Sequence, residues 1–437
     1  MTIDHKVAQK SVKALIDFID TSPSPWHAVA SIETMLTSNG FARLHETDKW
    51  SLEAGSRYYV VRDDSSIIIF ITGSDPLSET GFRIVGAHTD SPGLRIKPQC
   101  AHAADGYVRL GVEIYGGPIL ATFSDRDLSL AGRVTVNEGG ELSTRLVHFE
   151  SPLLRLPNLA IHMNRKVNEE GLKFNKQTEL PLVLAAISEQ LSPQETFIAL
   201  LAEKLDVSAE EILSWELNVY DSQKGTLFGL DELFYADSQL DNLASCHAAV
   251  TALLENNHSA PSSTLVCALF DHEEVGSESN KGADGSFLPD VLERIALSMK
   301  IDSEGYKQAL ANSFMISSDM AHAWNPNFPT AYEPEHHVML NRGPVIKLNA
   351  NQRYSSEAIS EAMFMRWCEE AGVPWQKYSH RTDIPCGSTI GPMTSARLGI
   401  RTVDVGNPMW AMHSIRESAG VLDHEMMIRV LQHFFKS

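Results

Sequence analysis

An unbroken apolar run, Ser263-Thr264-Leu265-Val266-Cys267-Ala268-Leu269-Phe270, ends abruptly in Asp271-His272-Glu273-Glu274-Val275-Gly276. A run of this length, bounded by turn residues, reads as a buried strand. In an α/β protein a parallel strand delivers its C-terminal end to the crevice where ligands bind. Two adjacent carboxylates placed there can divide labour, one binding a metal and the other moving a proton. Glu273 is therefore the candidate base and Glu274 the candidate ligand. The bland alternative is a solvated acidic loop, and other parts of the chain decide between the two.

The chain alternates helical and strand-like patterns at both ends. Residues 10–40 carry helical apolar spacing, interrupted at Ser22-Pro23-Ser24-Pro25-Trp26-His27. Arg57–Arg62 and Ser66–Ile71 read as paired strands around a polar turn, and Phe82–Ala87 as another buried strand. From about 95 to 235 short β-type runs alternate with Gly-rich turns, with a helical stretch near 192–213, which suggests an inserted domain. From about 240 the α/β alternation returns: a helix from Asn242, strand 263–270, a helix near 287–299 and strand 313–317. A helix at 355–371 with Ser355 or Ser356 as its cap, a strand at 401–406 and a helix from about 421 complete the pattern.

At 437 residues the chain is long enough for two domains. No apolar run is long enough to span a membrane, and the start Met1-Thr2-Ile3-Asp4-His5-Lys6 lacks a leader's apolar region. Cys100, Cys246, Cys267, Cys368 and Cys386 are scattered, without a C-x-x-C pair, which argues against a disulfide framework or a thiolate zinc finger. The expected compartment is the cytoplasm. A formal charge of −20 argues against nucleic-acid and anionic-membrane partners. An acidic substrate would therefore need a few local cations.

Four more polar punctuations follow the same logic. His88 and Asp90 follow the strand ending at Ala87, Asp241 starts a helix, Asp319 follows strand 313–317, and His413 lies in the loop after the late strand. With Glu274 they supply two histidines and three carboxylates as candidate metal ligands: His88, Asp241, Glu274, Asp319 and His413. Imidazole and carboxylate without thiolate suit a catalytic zinc or similar divalent ion. Five side chains make two four-coordinate sites only if one is shared, and Asp241 is the candidate bridge. Two cations roughly 3.5–4 Å apart can acidify a bridging water and polarise a scissile carbonyl. Asp90 can accept the other ring N–H of His88, and Glu273 can move the proton to the leaving nitrogen. Each residue alone has an ordinary explanation as a loop histidine or a helix cap; jointly these require five unrelated accidents.

The stretches Ala87-His88-Thr89-Asp90-Ser91-Pro92, Leu240-Asp241-Asn242, Asp271-His272-Glu273-Glu274-Val275-Gly276, Ser318-Asp319-Met320-Ala321-His322-Ala323 and Met412-His413-Ser414 closely resemble the aspartyl aminopeptidase family of dinuclear zinc exopeptidases. Phe123–Leu128, Leu159–Asn164 and Gly343–Lys347 add to the likeness, which spans nearly the whole chain. The resemblance implies a mixed-sheet α/β/α zinc-exopeptidase catalytic domain from residues 1–92 and 238–437. An inserted β-rich domain, 93–237, would mediate dimer contacts. It further implies two Zn2+ per subunit, one held by His88, Asp241 and Asp319 and the other by Asp241, Glu274 and His413. His322, Lys347 and Tyr354 would line the substrate pocket, and His162 would reach a neighbouring subunit's site in a dodecamer built from dimers.

The expected function is a metalloaminopeptidase acting on peptides with acidic first residues, with Lys347 as the local cation. The alternatives are a preference for neutral residues, a related dinuclear zinc deacylase or carboxypeptidase, and a non-catalytic zinc-bound assembly protein.

Overall fold

The apolar run around residue 267 is the strand Thr264–Phe270, and all of its residues are buried. Leu265, Cys267 and Leu269 pack into one hydrophobic cluster, whereas Val266, Ala268 and Phe270 pack into a second. Successive side chains of a strand point to opposite faces, so this division places apolar layers on both sides of the sheet. Ser66–Ile71 is divided in the same way, with Ile67, Ile69 and Ile71 on one face and Ile68 and Phe70 on the other. Fully burying a side chain of this size is worth about 1.5–3 kcal/mol, which is why the runs lack polar alternation.

These features belong to a computed structural model that describes residues 3–187, 191–256 and 260–437; every statement below concerns those residues. Met1 and Thr2, at the start of the stretch read for a leader, lie outside them. Contacts divide the chain into two units. One comprises Met1–Asp90, Gly225–Met412 and Glu417–Ser437, and the other Ser91–Lys224 and His413–Arg416.

The first unit is built on a nine-stranded mixed sheet. Its order is Ala42–Leu44, Arg57–Arg62, Ser66–Ile71, Thr264–Phe270, Phe82–His88, Phe314–Ser318, Arg401–Gly406, Val345–Leu348 and Gln376–Ser379. Thr264–Phe270, Phe82–His88, Phe314–Ser318 and Arg401–Gly406 run parallel at its centre. Helices His5–Asp20, Leu240–Glu255 and Val421–Lys436 supply one apolar layer, and Phe287–Ser298 with Ser303–Ala311 supply the other. The result is an α/β/α sandwich. A five-stranded sheet, Thr226–Phe228, Phe234–Asp237, Glu417–Gly420, Pro408–Trp410 and Ala321–His322, belongs to the same unit.

The second unit carries a six-stranded antiparallel sheet in the order Glu141–His148, Leu128–Glu138, Ile212–Asp221, Gly93–Ala104, Tyr107–Tyr115 and Leu182–Ala186. Its helix Pro193–Leu205 is opened by a capping box between Ser192 and Glu195. The helical stretch expected to reach 213 therefore ends earlier, and Ile212 already opens a strand.

The helix expected from Ser355 or Ser356 runs over Ala358–Glu370, with Glu357 at its cap. Both serines are engaged elsewhere. Ser355 donates its backbone N–H and its hydroxyl to Asp404 Oδ2, each at 2.6 Å, and the hydroxyl of Ser356 accepts the Asp404 N–H at 2.9 Å. The distant Asp404, through its carboxylate at Ser355 and its backbone at Ser356, outcompetes the local capping role. No helix is long and apolar enough to cross a membrane.

Candidate metal centre

Three parallel strands deposit their last residues side by side. Phe270 is in register with His88 on the neighbouring strand, and Ser317 lies one strand further on, opposite Gly86. His88, the Glu273–Glu274 turn and Asp319 therefore emerge at one edge of the sheet, where strand ends present ligand-binding groups. Asp241 comes from the first turn of Leu240–Glu255, where its non-helical backbone (φ −83°, ψ 102°) departs from the helix it opens. Its N–H donates to Glu417 Oε2 at 3.0 Å.

These side chains meet. His88 Nε2 lies 3.3 Å from Asp241 Oδ1 and 3.6 Å from Asp319 Oδ1. Ligand atoms of His88, Asp241 and Asp319 all fall within 4.8 Å of one another, as do those of His88, Glu273 and Glu274. Asp241 and Glu274 also offer oxygens within that distance. His88, Asp90 and Asp241 are buried, and Asp319 is 8% exposed. Burial disfavours a charged imidazole, yet Asp241, Asp319 and Asp90 together hold His88 well above its ordinary pKa. A buried nest of carboxylates around one imidazole favours positive charge at its centre. One imidazole nitrogen with several carboxylate oxygens and no thiolate is a donor set that fits zinc.

Asp90 does more than face a ring nitrogen. Its Oδ1 accepts the Glu273 N–H and its Oδ2 the Glu274 N–H, each at 3.1 Å, which fixes the acidic turn. His88 Nδ1 is 3.4 Å from the Asp90 carboxylate and 3.0 Å from the Asp90 carbonyl. The turn itself is a 3-10 segment, Glu273–Val275, between left-handed His272 and Gly276. Burial first, then the charges of Asp319, Asp90 and Asp241, push the Glu273 carboxyl up to about 8, against the opposing pull of His88.

Lys347 is 2% exposed, and its ammonium donates to Asp319 Oδ2 at 3.2 Å and to the Met320 carbonyl at 3.0 Å. It sits 5.2 Å from the centre of the Tyr354 ring. His322 is held down to about 4 by burial and then by the charge of Lys347, and its ring lies 5.8 Å from that of Tyr378 and 6.3 Å from that of His380. His162 is exposed on a turn of the second unit. His413 lies on the four-residue segment that packs with the same unit, its Nδ1 3.1 Å from the Gly117 carbonyl and its φ at +69°.

Sequence reasoning missed the residues that support this centre. Glu417 is buried and accepts from Asp241; the Asn242 side chain donates to the Ser318 carbonyl at 2.9 Å, and Cys246 Sγ to the His88 carbonyl at 3.0 Å. Tyr378 and His380, alternate residues at the end of a strand, are joined at 2.5 Å. Their period-2 spacing was the one available signal; Glu417 offered none.

A profile of the family described as aminopeptidase I zinc metalloprotease (M18) matches residues 18–435. The "Probable M18 family aminopeptidase 2" of Stutzerimonas stutzeri (strain A1501) is 47% identical over 429 residues, covering 97% of this chain and 98% of its own. Among solved structures, a chain of the Ape4 and Nbr1 complex has a TM-score of 0.95 at 39% identity, with 100% of this chain and 88% of that one covered. The structure titled S. cerevesiae mApe1 dodecamer has a TM-score of 0.85 at 27% identity, with 99% and 97% covered.

Proposed function

The chain belongs to the M18 family of zinc aminopeptidases, and on that premise we propose that it holds two zinc ions per subunit and releases acidic first residues from peptides, with Glu273 as the base. The observation that carries this reading is the wedging of His88 between Asp241 and Asp319, with the partly buried Glu273 carboxylate beside it. His88, Asp241 and Asp319 hold one ion in this reading, and Asp241, Glu274 and His413 the other. Zinc held by these donors would acidify water and polarise a scissile carbonyl. A carboxylate oxygen of Glu273 takes the proton from the attacking water and passes it to the nitrogen of the departing peptide. Asp90 keeps that oxygen in place through the two backbone N–H groups it accepts.

Lys347, His322 and Tyr354 line the substrate side in the same reading. An ammonium has three N–H donors and two of those on Lys347 are used, which leaves one for an acidic substrate side chain. The same ion pair favours a second reading, a preference for neutral first residues, because Asp319 already balances Lys347. The mApe1 dodecamer supports assembly of this chain into a dodecamer built from dimers, with His162 reaching a neighbour's site. Five cysteines without a disulfide among the described residues support a cytoplasmic location.

A panel of free-amine and N-acetylated peptides, varied at the first residue and assayed with and without chelator, tests the reaction. Cleavage of acetylated substrates at equal rate would point to a deacylase or carboxypeptidase, and absence of metal-dependent cleavage to an assembly protein. Lys347→Ala is expected to slow Asp- and Glu-starting substrates more than Leu-starting ones at unchanged zinc content. Equal losses on both classes would remove Lys347 from the specificity account.

A further inference from the structure

The second unit carries a pocket that the peptidase reading does not use. It occupies about 340 Å³ and is lined by Lys97, His102, Arg109 and Lys176 together with Gln99 and Thr178, among others, and none of its lining residues is acidic. In a chain of formal charge −20, a pocket walled by three permanent cations and no carboxylate needs an explanation. Other arginines of the same unit are paired: Arg133 with Glu216 at 2.6 Å, Arg155 with Asp127 at 2.7 Å and Arg126 with Asp221 at 2.6 Å. Among the described residues no carboxylate pairs with Lys97, Arg109 or Lys176.

The fold builds this cluster deliberately. Arg109 sits inside the sheet, opposite His102 on one neighbouring strand and Val183 on the other. Its Nε is buried without a hydrogen-bond partner, and a buried charged donor left unmade is costly. The pairing of Gly93–Ala104 with Tyr107–Tyr115 shifts register between Ile96 and Ala101, and Lys97 lies in that irregular stretch of the strand. Trp215 Nε1 donates to the Lys97 carbonyl at 3.2 Å and pins that backbone. Gly111 has no side chain, and a Cβ there would lie 3.7 Å from Lys97 Cδ, so the lysine stem lies along the strand. Across the pocket, Asn175 Oδ1 accepts the N–H groups of Gln177 and Thr178 at 3.0 and 3.1 Å and shapes the loop that carries Lys176. The adjoining cavity shares Arg109, and its one acid, Glu179, accepts the Asn175 N–H at 2.6 Å.

We propose that Lys97, His102, Arg109 and Lys176 form a binding site for a small tetrahedral oxyanion, such as phosphate or the phosphate group of a small metabolite. A guanidinium presents Nε and Nη as a fork that two oxygens of one oxyanion satisfy together. The lysines supply point charges at the flanks, and Gln99 and Thr178 supply neutral donors. The volume accommodates more than the ion itself.

Calorimetric titration of the zinc-loaded protein with sulfate, repeated with inorganic phosphate, tests the site. Saturable binding is expected, and Arg109→Gln is expected to weaken it about tenfold or more, the loss of one charge-assisted bond. Lys176→Gln, on an exposed loop, provides a second variant should Arg109→Gln fold poorly, and it is expected to weaken binding in the same direction. Peptidase activity without added oxyanion is expected to stay at the wild-type level in both variants. Absence of saturable binding to the wild type, or equal affinity in the wild type and in folded variants, would overturn the proposal.

Discussion

Asp90 is fully buried and gives each of its carboxylate oxygens to a backbone N–H of the acidic turn. A carboxylate used this way positions Glu273 more rigidly than a single contact to an imidazole could. Glu273 in turn stands where holding a proton is favoured, first through burial and then through the acids around it. Glu273→Gln keeps the shape and the hydrogen bond to Asp90 but removes the basic oxygen. Turnover is expected to fall by about 10²–10⁴, with zinc content by elemental analysis and melting temperature unchanged. Near-wild-type rates in that variant would exclude Glu273 as the base. At this scale His88, Glu273, Glu274 and Asp319 stood out in the sequence because each lies within four residues of the end of an apolar run. The pairing of Lys347 with Asp319 was not, since 28 positions separate the two.

Among the elements, the strand Arg401–Gly406 carries no candidate ligand yet governs one. A Cβ at Gly406 would stand 1.6 Å from the Asp319 carbonyl oxygen, closer than any contact allows. The missing side chain lets this strand run beside Phe314–Ser318 and keeps Asp319 facing His88. Gly406→Ala must push the two strands apart, and overpacking of this kind costs about 1–3 kcal/mol. Its expected outcome is a lower melting temperature together with weaker zinc retention on dialysis. Retention equal to wild type would show that Asp319 is held by other means. The Ser355 and Ser356 hydroxyls make the same point about elements. Their local capping signal was clear, and a buried aspartate from a distant strand overrode it.

On the scale of the whole molecule, the apolar layer between Leu240–Glu255 and Val421–Lys436 encloses two histidines. His247 Nδ1 and His424 Nε2 are 2.9 Å apart, and Phe18 lies against His247. Burial alone lowers His247 to about 4, and burial with the neighbouring imidazole lowers His424 well below its ordinary value. Between about 4 and 6.5 the unfolded chain therefore binds protons that the folded one refuses. The stability is fully present above pH 6.5 and is lost as the pH falls through that window. Each imidazole contributes a slope of up to about 1.4 kcal/mol per pH unit. Urea unfolding of the zinc-loaded protein is expected to show a falling midpoint from pH 6.5 to 4.5, with a shallower fall in His247→Phe. Parallel curves for the two proteins would remove this pair from the pH response.

The sequence by itself determined the α/β class and the strand ends at which the chemistry-bearing residues stand. Both follow from patterns that repeat over a few neighbouring residues, and burial on two faces leaves no room for polar alternation. Only the tertiary structure decided that strand Phe82–His88 lies between Thr264–Phe270 and Phe314–Ser318, so that His88 falls among Asp241, Asp319 and the acidic turn. It also decided that Glu417 supports Asp241, that His413 packs with the second unit, and that Arg109 is left with a buried donor. These outcomes depend on contacts between residues far apart in the chain. Such contacts are set by which strands and helices pack together, and no local pattern of residues encodes that choice.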